Sequence, residues 1–517
     1  MSSLFLKKDL ARVVREATDP NMAEGHGLKR SLSALNLITL GIGAIIGAGI
    51  FSLTGTAAAH YAGPGVALSF VIGGILCTLA GLCYAELAAM IPVAGSAYAY
   101  TYATMGELVA WIIGWDLALE YAFGAITVTG AWSGYVYSLA HKTFGLQVAD
   151  AWLRLTKGPG ELVTLSNGMQ VHGYCNVPAM LIALLCTAVL YRGMKESAWV
   201  NNIIVIVKVA IVLSFIVLGW DVISLGNLHA NPSATGLAAL VPEIVLNAKG
   251  EPHFGWGTGG VLTGAGVVFF SYIGFDAVST AAQEAKNPQR DMPIGILASL
   301  LICTILYILV SVVLTGVVNY TELGVPDPIA VGIDAIVRLR GWSASAQLMF
   351  TAAVKIGAIA GLSSVVLVLM MGQSRIFYAM AKDGLLPWFD KTHAKNHTPH
   401  VATLVTGVLV AILGGFLPYT LVGELVSIGT LLAFVLVCVG VPILRITNPD
   451  QPRPFRTPWP WVTGPLGAVA CLWVMSSLPG DTWLRLIVWL AIGFVIYFSY
   501  GKKHSRVQRE RRESLHP

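Results

Sequence analysis

Lys208 stands in the middle of an apolar run, Asn201-Asn202-Ile203-Ile204-Val205-Ile206-Val207-Lys208-Val209-Ala210-Ile211-Val212-Leu213. On a helix it is about ten residues, or ~15 Å, from either end. That is too deep for comfortable snorkelling to water. A lysine at such depth is costly and is functional by default. Burial in low dielectric disfavours the charged form of an amine, so the chemistry open to it is uptake and release of a proton. The plainer alternative is a structural lysine paired with a buried acid. Glu120 offers such an acid, in Trp115-Asp116-Leu117-Ala118-Leu119-Glu120-Tyr121. It shares a helix face with Asp116 at i, i+4, and it could pair with Lys208 or relay its proton. Asp116 is expected nearer the inner interface. A third acid at apolar depth, Asp276, could cap or pair within its own segment.

A second kind of chemistry belongs to backbone. The run Gly41-Ile42-Gly43-Ala44-Ile45-Ile46-Gly47-Ala48-Gly49-Ile50-Phe51 is apolar enough to enter a bilayer, yet holds four glycines. Each costs about 1 kcal/mol relative to alanine in a helix. Glycine is useful where a helix must unwind, and unwound backbone at membrane depth is tolerated only where it is buried in protein or lines a cavity. The amides such a break frees can hold an anion, helped by the positive end of the following half-helix. Gly43-x-x-x-Gly47 can also be read as a helix-packing pattern. A dinucleotide fingerprint fails, because Ile46 stands where its third glycine is required and no strand–helix–strand context exists. Another interrupted run follows at Gly264-Ala265-Gly266-Val267-Val268-Phe269-Phe270-Ser271-Tyr272-Ile273-Gly274-Phe275-Asp276. Two interrupted spans at matching positions of two halves are the sequence mark of an inverted-repeat transporter with a site at the bilayer midplane.

The elements that must position these groups are apolar helices. The chain has 517 residues, of which 56% are hydrophobic and 11% charged, with mean hydropathy +0.72. Soluble domains carry about 25% charge. The reading is an all-α polytopic membrane protein with about twelve spans, centred near residues 46, 78, 122, 184, 209, 271, 305, 364, 409, 432, 469 and 491. With the N-terminus inside, 23 of the 32 Lys and Arg fall on the cytoplasmic side or in the cytoplasmic tails, as the positive-inside rule requires. The formal charge of +5 therefore needs no nucleic-acid partner. The organisation expected is a cytoplasmic segment 1–32, a membrane domain 33–500 and a basic tail 501–517 facing anionic lipid headgroups. Within the domain, repeats of five spans cover about 33–220 and 258–447, and two extra helices cover about 461–500. No cleavable signal peptide is visible. Long outer loops at about 141–176 and 221–257 are rich in Gly, Pro and Asn. The seven cysteines are scattered, with neither metal-ligand spacing nor a disulfide framework. His393, His397 and His400 read as a solvated loop around Pro399. Lys355, in the outer third of span 8, reads as a snorkelling lysine. No cofactor or metal is implied, and no nucleophile–base pair at membrane depth suggests an enzyme.

Four motifs in order give a resemblance. They are the glycine-rich first span; Tyr84-Ala85-Glu86-Leu87 followed by Pro92-Val93-Ala94-Gly95-Ser96-Ala97-Tyr98; Tyr272-Ile273-Gly274-Phe275-Asp276 continuing to Glu284-Ala285-Lys286-Asn287-Pro288; and Arg375-Ile376-Phe377-Tyr378-Ala379-Met380-Ala381-Lys382-Asp383-Gly384-Leu385-Leu386-Pro387. Over residues 28–500 the chain resembles the amino acid–polyamine–organocation transporters, and within them the cationic amino acid transporter branch in bacterial form. The resemblance implies a fold like that of the bacterial leucine/sodium symporter, five plus five inverted helices, alternating access, and a bacterial inner membrane location with both termini cytoplasmic. The partners it implies are an amino acid, a proton and membrane lipid.

The resemblance also implies roles for residues. The amides of Gly47, Ala48 and Gly49 would hold the substrate carboxylate. The carbonyl of Ile45, with those of Phe270 and Ile273, would hold the ammonium. Phe270 would close over the substrate from outside. Leu362 would line the side-chain pocket, where a leucine favours small or apolar cargo over a long guanidinium. Lys208 would stand where sodium-coupled relatives bind an ion between spans 1 and 8, touching span 1 carbonyls near Gly43 and span 8 hydroxyls such as Ser363 or Ser364. The branch has an acid at Glu120. Proton-coupled import leads. Exchange of amino acids or amines without net proton movement, and a membrane sensor that binds without transport, stay open, as does a small single-helix membrane partner.

Overall fold

Lysine and backbone carbonyls can meet at membrane depth only if a helix stops, and the computed structural model shows where the helices stop. It describes residues 3–9, 32–47, 49–93, 96–146, 149–165, 167–192, 197–246, 252–254, 260–280, 282, 285–393 and 398–515. Helix α1, Ala34–Ile45, is opened by Ser33, whose hydroxyl accepts from the Asn36 amide. It ends where Ile46 turns extended, at φ −70°, ψ 94°. Helical backbone resumes at residue 49 in wide, π-type turns, Gly49–Leu53 and Ala58–Ala62, around a short α turn, Thr54–Ala57. Helices α2 (Val66–Met90), α3 (Ser96–Thr104), α4 (Glu107–Tyr137), α5 (Val177–Arg192) and α6 (Ser197–Trp220) follow.

The second break has the same construction. Helix α7, Val261–Val268, tightens into a 3-10 turn over Phe269–Tyr272. Ile273 is extended, Gly274 has φ +123°, and α8 starts at Phe275 and runs to Thr280. Then come α9 (Pro288–Val317), α10 (Pro328–Leu339), α11 (Ala344–Lys382), α12 (His400–Phe416) and α13 (Tyr419–Thr447), and last α14 (Pro460–Ser476), α15 (Gly480–Ile496) and α16 (Arg506–Leu515). Two small antiparallel hairpins, Leu162–Thr164 with Gln170–His172 and Ile244–Leu246 with Pro252–Phe254, decorate the long loops.

Among the described residues seven helical stretches are long and apolar enough to cross a membrane; the first, Ala34–Met90, holds both α1 and α2. Four apolar helices of 10–17 residues accompany them. Peripheral helices expose apolar side chains such as Leu185, Val217, Val469 and Val495. Contiguous exposed apolar surface of this kind marks a membrane or a partner. The interior pairs α4 with α11, α2 with α9, α4 with α13, and α1 with α9 most extensively.

Partly buried ion pairs and hydrogen bonds close the face that carries both chain ends. Glu86 takes two hydrogen bonds from the Arg445 guanidinium, at 3.0 and 2.8 Å, and one from the Thr457 amide at 2.7 Å. Lys8 and the Tyr98 hydroxyl both reach Asp383 at 2.6 Å. Glu107 receives Tyr102, Tyr497, Gln508 and Ser505. On the opposite face Lys355 is 1% exposed and pairs with Asp334 of α10 at 3.5 Å and with the Thr143 hydroxyl at 3.0 Å. This corrects the snorkelling expectation: the amine is fixed inside the protein, where it ties α11 to α10.

Candidate functional site

The two breaks face each other. A side chain at Gly49 would place its first carbon 2.2 Å from the Ser271 Cα, and one at Gly274 would place it 2.8 Å from the Ala44 carbonyl carbon. Glycine at both positions lets two unwound backbones cross at contact distance, and at Gly274 it also permits the positive φ. One side chain bridges them. The Tyr307 hydroxyl of α9 lies 2.6 Å from the Ile45 carbonyl and 2.9 Å from the Ser271 carbonyl. Tyr307 was not singled out in the sequence, where one tyrosine in an apolar run reads as core. It holds the ends of both half-helices at the place where the Ile45 carbonyl was expected to meet an ammonium.

Between the breaks lies a small cavity lined by Ala44, Ile45, Gly47, Gly49, Phe270, Ile273, Val365 and Leu369. The space left is about that of one water molecule, so the breaks must part to admit a substrate. Its lining includes Ile45, Gly47, Gly49, Phe270 and Ile273 of the expected site. Ala48 lies outside the described residues. The Gly47 carbonyl accepts from the Phe51 amide at 3.1 Å, and the Phe270 carbonyl from the Ile273 amide at 3.1 Å. Phe270 is 4% exposed. Leu362, expected in the pocket wall, is fully buried but not part of the lining. Val365 and Leu369 present the α11 face instead, one and two turns further along. Among the described residues no charged side chain lines the cavity.

On the other side of the same break sits Lys208, with no solvent exposure. Its Nζ donates to the Gly43 carbonyl at 2.7 Å and to the Ile46 carbonyl at 3.0 Å. Carbonyls near the end of α1 lack helical partners, and the lysine supplies one. Its stem runs over Gly361, where a side-chain carbon would come within 2.8 Å of the lysine Cε. Ser363, expected beside the ammonium, instead accepts from Trp132 Nε1 at 2.9 Å and donates to the Ile359 carbonyl at 2.8 Å. Ser364 donates to its own helix at Gly361.

The acids lie elsewhere in the interior. Asp276 accepts from the Tyr121 hydroxyl at 2.5 Å and from the Gly274 amide at 3.2 Å, so it caps the second break. Glu120 and Asp116 are fully buried, and neither carboxyl group has a hydrogen-bond partner. Lys208 makes no ion pair with Glu120: both of its hydrogen bonds go to α1 and the residue after it.

The amino acid permease family matches residues 32–499. The chain is 41% identical over 510 residues to a methylthioribose transporter of Bacillus subtilis, covering 98% of this chain and 100% of the relative. It is 41% identical over 509 residues to the branched-chain amino acid permease BcaP of the same organism, covering 98% and 99%. A vacuolar cationic amino acid transporter 4 of Arabidopsis thaliana is 38% identical over 426 residues, 82% of this chain and 65% of the relative.

Proposed function

The chain belongs to the amino acid permease family, and from that premise we propose that it imports small or branched aliphatic amino acids by alternating access, with a proton on Lys208 as the coupled ion. The observation that carries this reading is the pair of bonds from Lys208 Nζ to the Gly43 and Ile46 carbonyls, 2.7 and 3.0 Å long, on the back of the turn whose front lines the cavity. Bonds from an ammonium are roughly twice as strong as those from a neutral amine. Loss of the proton weakens the hold on the break, so the substrate cradle and the proton site share one piece of backbone. Glu120, buried in the same interior and out of contact with Lys208 here, is the acid that passes the proton on once the helices move.

Once the breaks part to admit it, the substrate is held through its backbone groups. The amides after the break, from Gly47 to Gly49, take the carboxylate. The carbonyls of Ile45 and Ile273 take the ammonium, with Tyr307 giving way at Ile45. Val365, Leu369 and Phe270 then meet the side chain. A guanidinium or second ammonium there would be buried without a counter-charge, at a cost of several kcal/mol. The relatives' names fit an uncharged cargo: one carries branched-chain amino acids and another a neutral thioether sugar. The distant cationic transporters share the family but not this inference.

The packing supports twelve spans built as an inverted repeat. Counting α1 with the turns after it, and α7 with α8, as one broken span each, and leaving out the short helices α3, α10 and α16, gives twelve spans. The α1–α9 and α7–α2 contacts then correspond between repeats, as do α4–α13 and α11–α6. Residues 1–32 and 501–517 flank this domain as cytoplasmic segments, and α14 and α15 lie outside the repeat.

The test is uptake of L-leucine into proteoliposomes. An inward proton gradient should raise it several-fold, sodium should leave it unchanged, and Lys208→Ala should abolish the gradient's effect. Sodium-dependent uptake that survives Lys208→Ala would sink the proposal.

A further inference from the structure

Asp116 is a carboxyl group that the transport reading does not use. It lies on α4 one turn before Glu120, about 6 Å away along one helix face. Counted from Glu107, the first residue of α4, Asp116 is nine residues in, or ~13 Å, and Glu120 thirteen, or ~20 Å. Asp116 therefore lies between Glu120 and the face that carries the chain ends. Both side chains are fully buried, and all four carboxyl oxygens lack a hydrogen-bond partner.

The surroundings give these groups no counter-charge. Against Glu120 stand Asp276 of α8, Asp116 itself and the Thr430 hydroxyl of α13. Tyr84 of α2 faces Glu120 and Asp276, and its buried hydroxyl also lacks a partner. Among the described residues neither Asp116 nor Glu120 makes an ion pair or hydrogen bond with a lysine, arginine or histidine. Two acids so placed cannot both carry charge, and a ligand of opposite sign must meet them. Among the described residues no group of three His, Cys, Asp or Glu is arranged to hold a metal ion. The smallest cation remains, the proton.

Room is provided as well. Gly429 of α13 packs on Asp116, and a side-chain carbon there would come within 2.9 Å of Asp116 Oδ1. The missing methyl leaves that oxygen free to turn.

We propose that Asp116 is a proton-binding station, one turn below Glu120, through which the proton leaves toward the cytoplasm. The carboxylic acid of Glu120 gives its proton to the Asp116 carboxylate, and the neutral Asp116 releases it once the inner half of the bundle opens to water. The step rests on the proton-coupled reading above and extends it from one site to a path.

The experiment compares net, gradient-driven uptake of L-leucine with leucine–leucine exchange in proteoliposomes of the full chain, at several internal pH values. Exchange returns the carrier loaded and needs no proton release inside. Asp116→Asn should lower net uptake tenfold or more, lower exchange by no more than two- to threefold, and flatten the dependence on internal pH. Gly429→Ala should act in the same direction, and Asp116→Glu should restore the dependence. Net uptake of Asp116→Asn with the unaltered internal-pH profile overturns the proposal. So does equal loss of net uptake and exchange in Asp116→Asn and Asp116→Glu, the result of a structural role. Wild-type uptake indifferent to the proton gradient would remove the coupled reading itself, and this proposal with it.

Discussion

At the scale of single residues, the site is a set of backbone groups whose partners decide their use. Tyr307 is the clearest case. Its hydroxyl serves two carbonyls, Ile45 and Ser271, from opposite breaks. One O–H carries one proton, so it satisfies the pair in turn, and an arriving ammonium with three donors can displace it at Ile45. Tyr307→Phe leaves both buried carbonyls short of a donor, a penalty of about 1–3 kcal/mol. We expect substrate affinity and uptake to fall about tenfold in Tyr307→Phe, read by L-leucine uptake against concentration, with the fold intact by gel filtration. Unchanged kinetics would mean that the hydroxyl only fills space. This residue was not legible in the sequence because its role depends on two segments, 36 and 262 residues away from it, meeting at one point. Lys208 was legible for the opposite reason. A charge in an apolar run is conspicuous in any fold, while the choice among Ser363, Leu362 and Val365 depends on how α11 is rotated. A helix apolar all round does not encode that rotation in its pattern.

At the scale of elements, the two broken helices work as a crossed pair, and glycine marks the crossing. The breaks were readable because glycines clustered in an apolar span serve either close helix packing or unwinding, and two such clusters at matching positions favour unwinding. Their mutual contact was not readable, since it depends on Gly49 lying on Ser271 and Gly274 on Ala44. Gly274 joins two demands, a φ of +123° and a 2.8 Å approach to backbone that cannot retreat. Gly145 meets only the first: it has φ +64°, with nothing within 4 Å of the added carbon. Left-handed backbone alone costs a non-glycine residue about 1–3 kcal/mol. Gly145→Ala should therefore cost a degree or two of thermal stability and no uptake. Gly274→Ala should abolish uptake and lower the yield of monodisperse protein. Equal behaviour of the two variants in the same expression and uptake assay would mean that the crossing tolerates a methyl group.

At the scale of the whole molecule, locks close both faces around an apolar cavity. Lys355 with Asp334 ties α11 to α10 on one side, while Glu86 with Arg445, and Asp383 with Lys8, tie helices on the other. The proposed alternating access must release one set while keeping the other, and the energy for that choice would come from what the cavity holds. A ligand that binds only the closed, folded form raises apparent stability by RT ln(1 + [L]/Kd), about 2.7 kcal/mol at a hundredfold excess over Kd. The cavity wall of Val365, Leu369 and Phe270 offers no counter-charge, so the rise should follow side-chain chemistry. In detergent, leucine, isoleucine, valine and methionine should raise the melting temperature by several degrees. Lysine and arginine should not. Methylthioribose belongs in the same panel, because one relative bears its name at 41% identity. A shift with methylthioribose and none with any amino acid would move the cargo to the sugar while keeping the cavity. A shift with arginine would require an acid that the wall does not contain, and would overturn the assignment of the site.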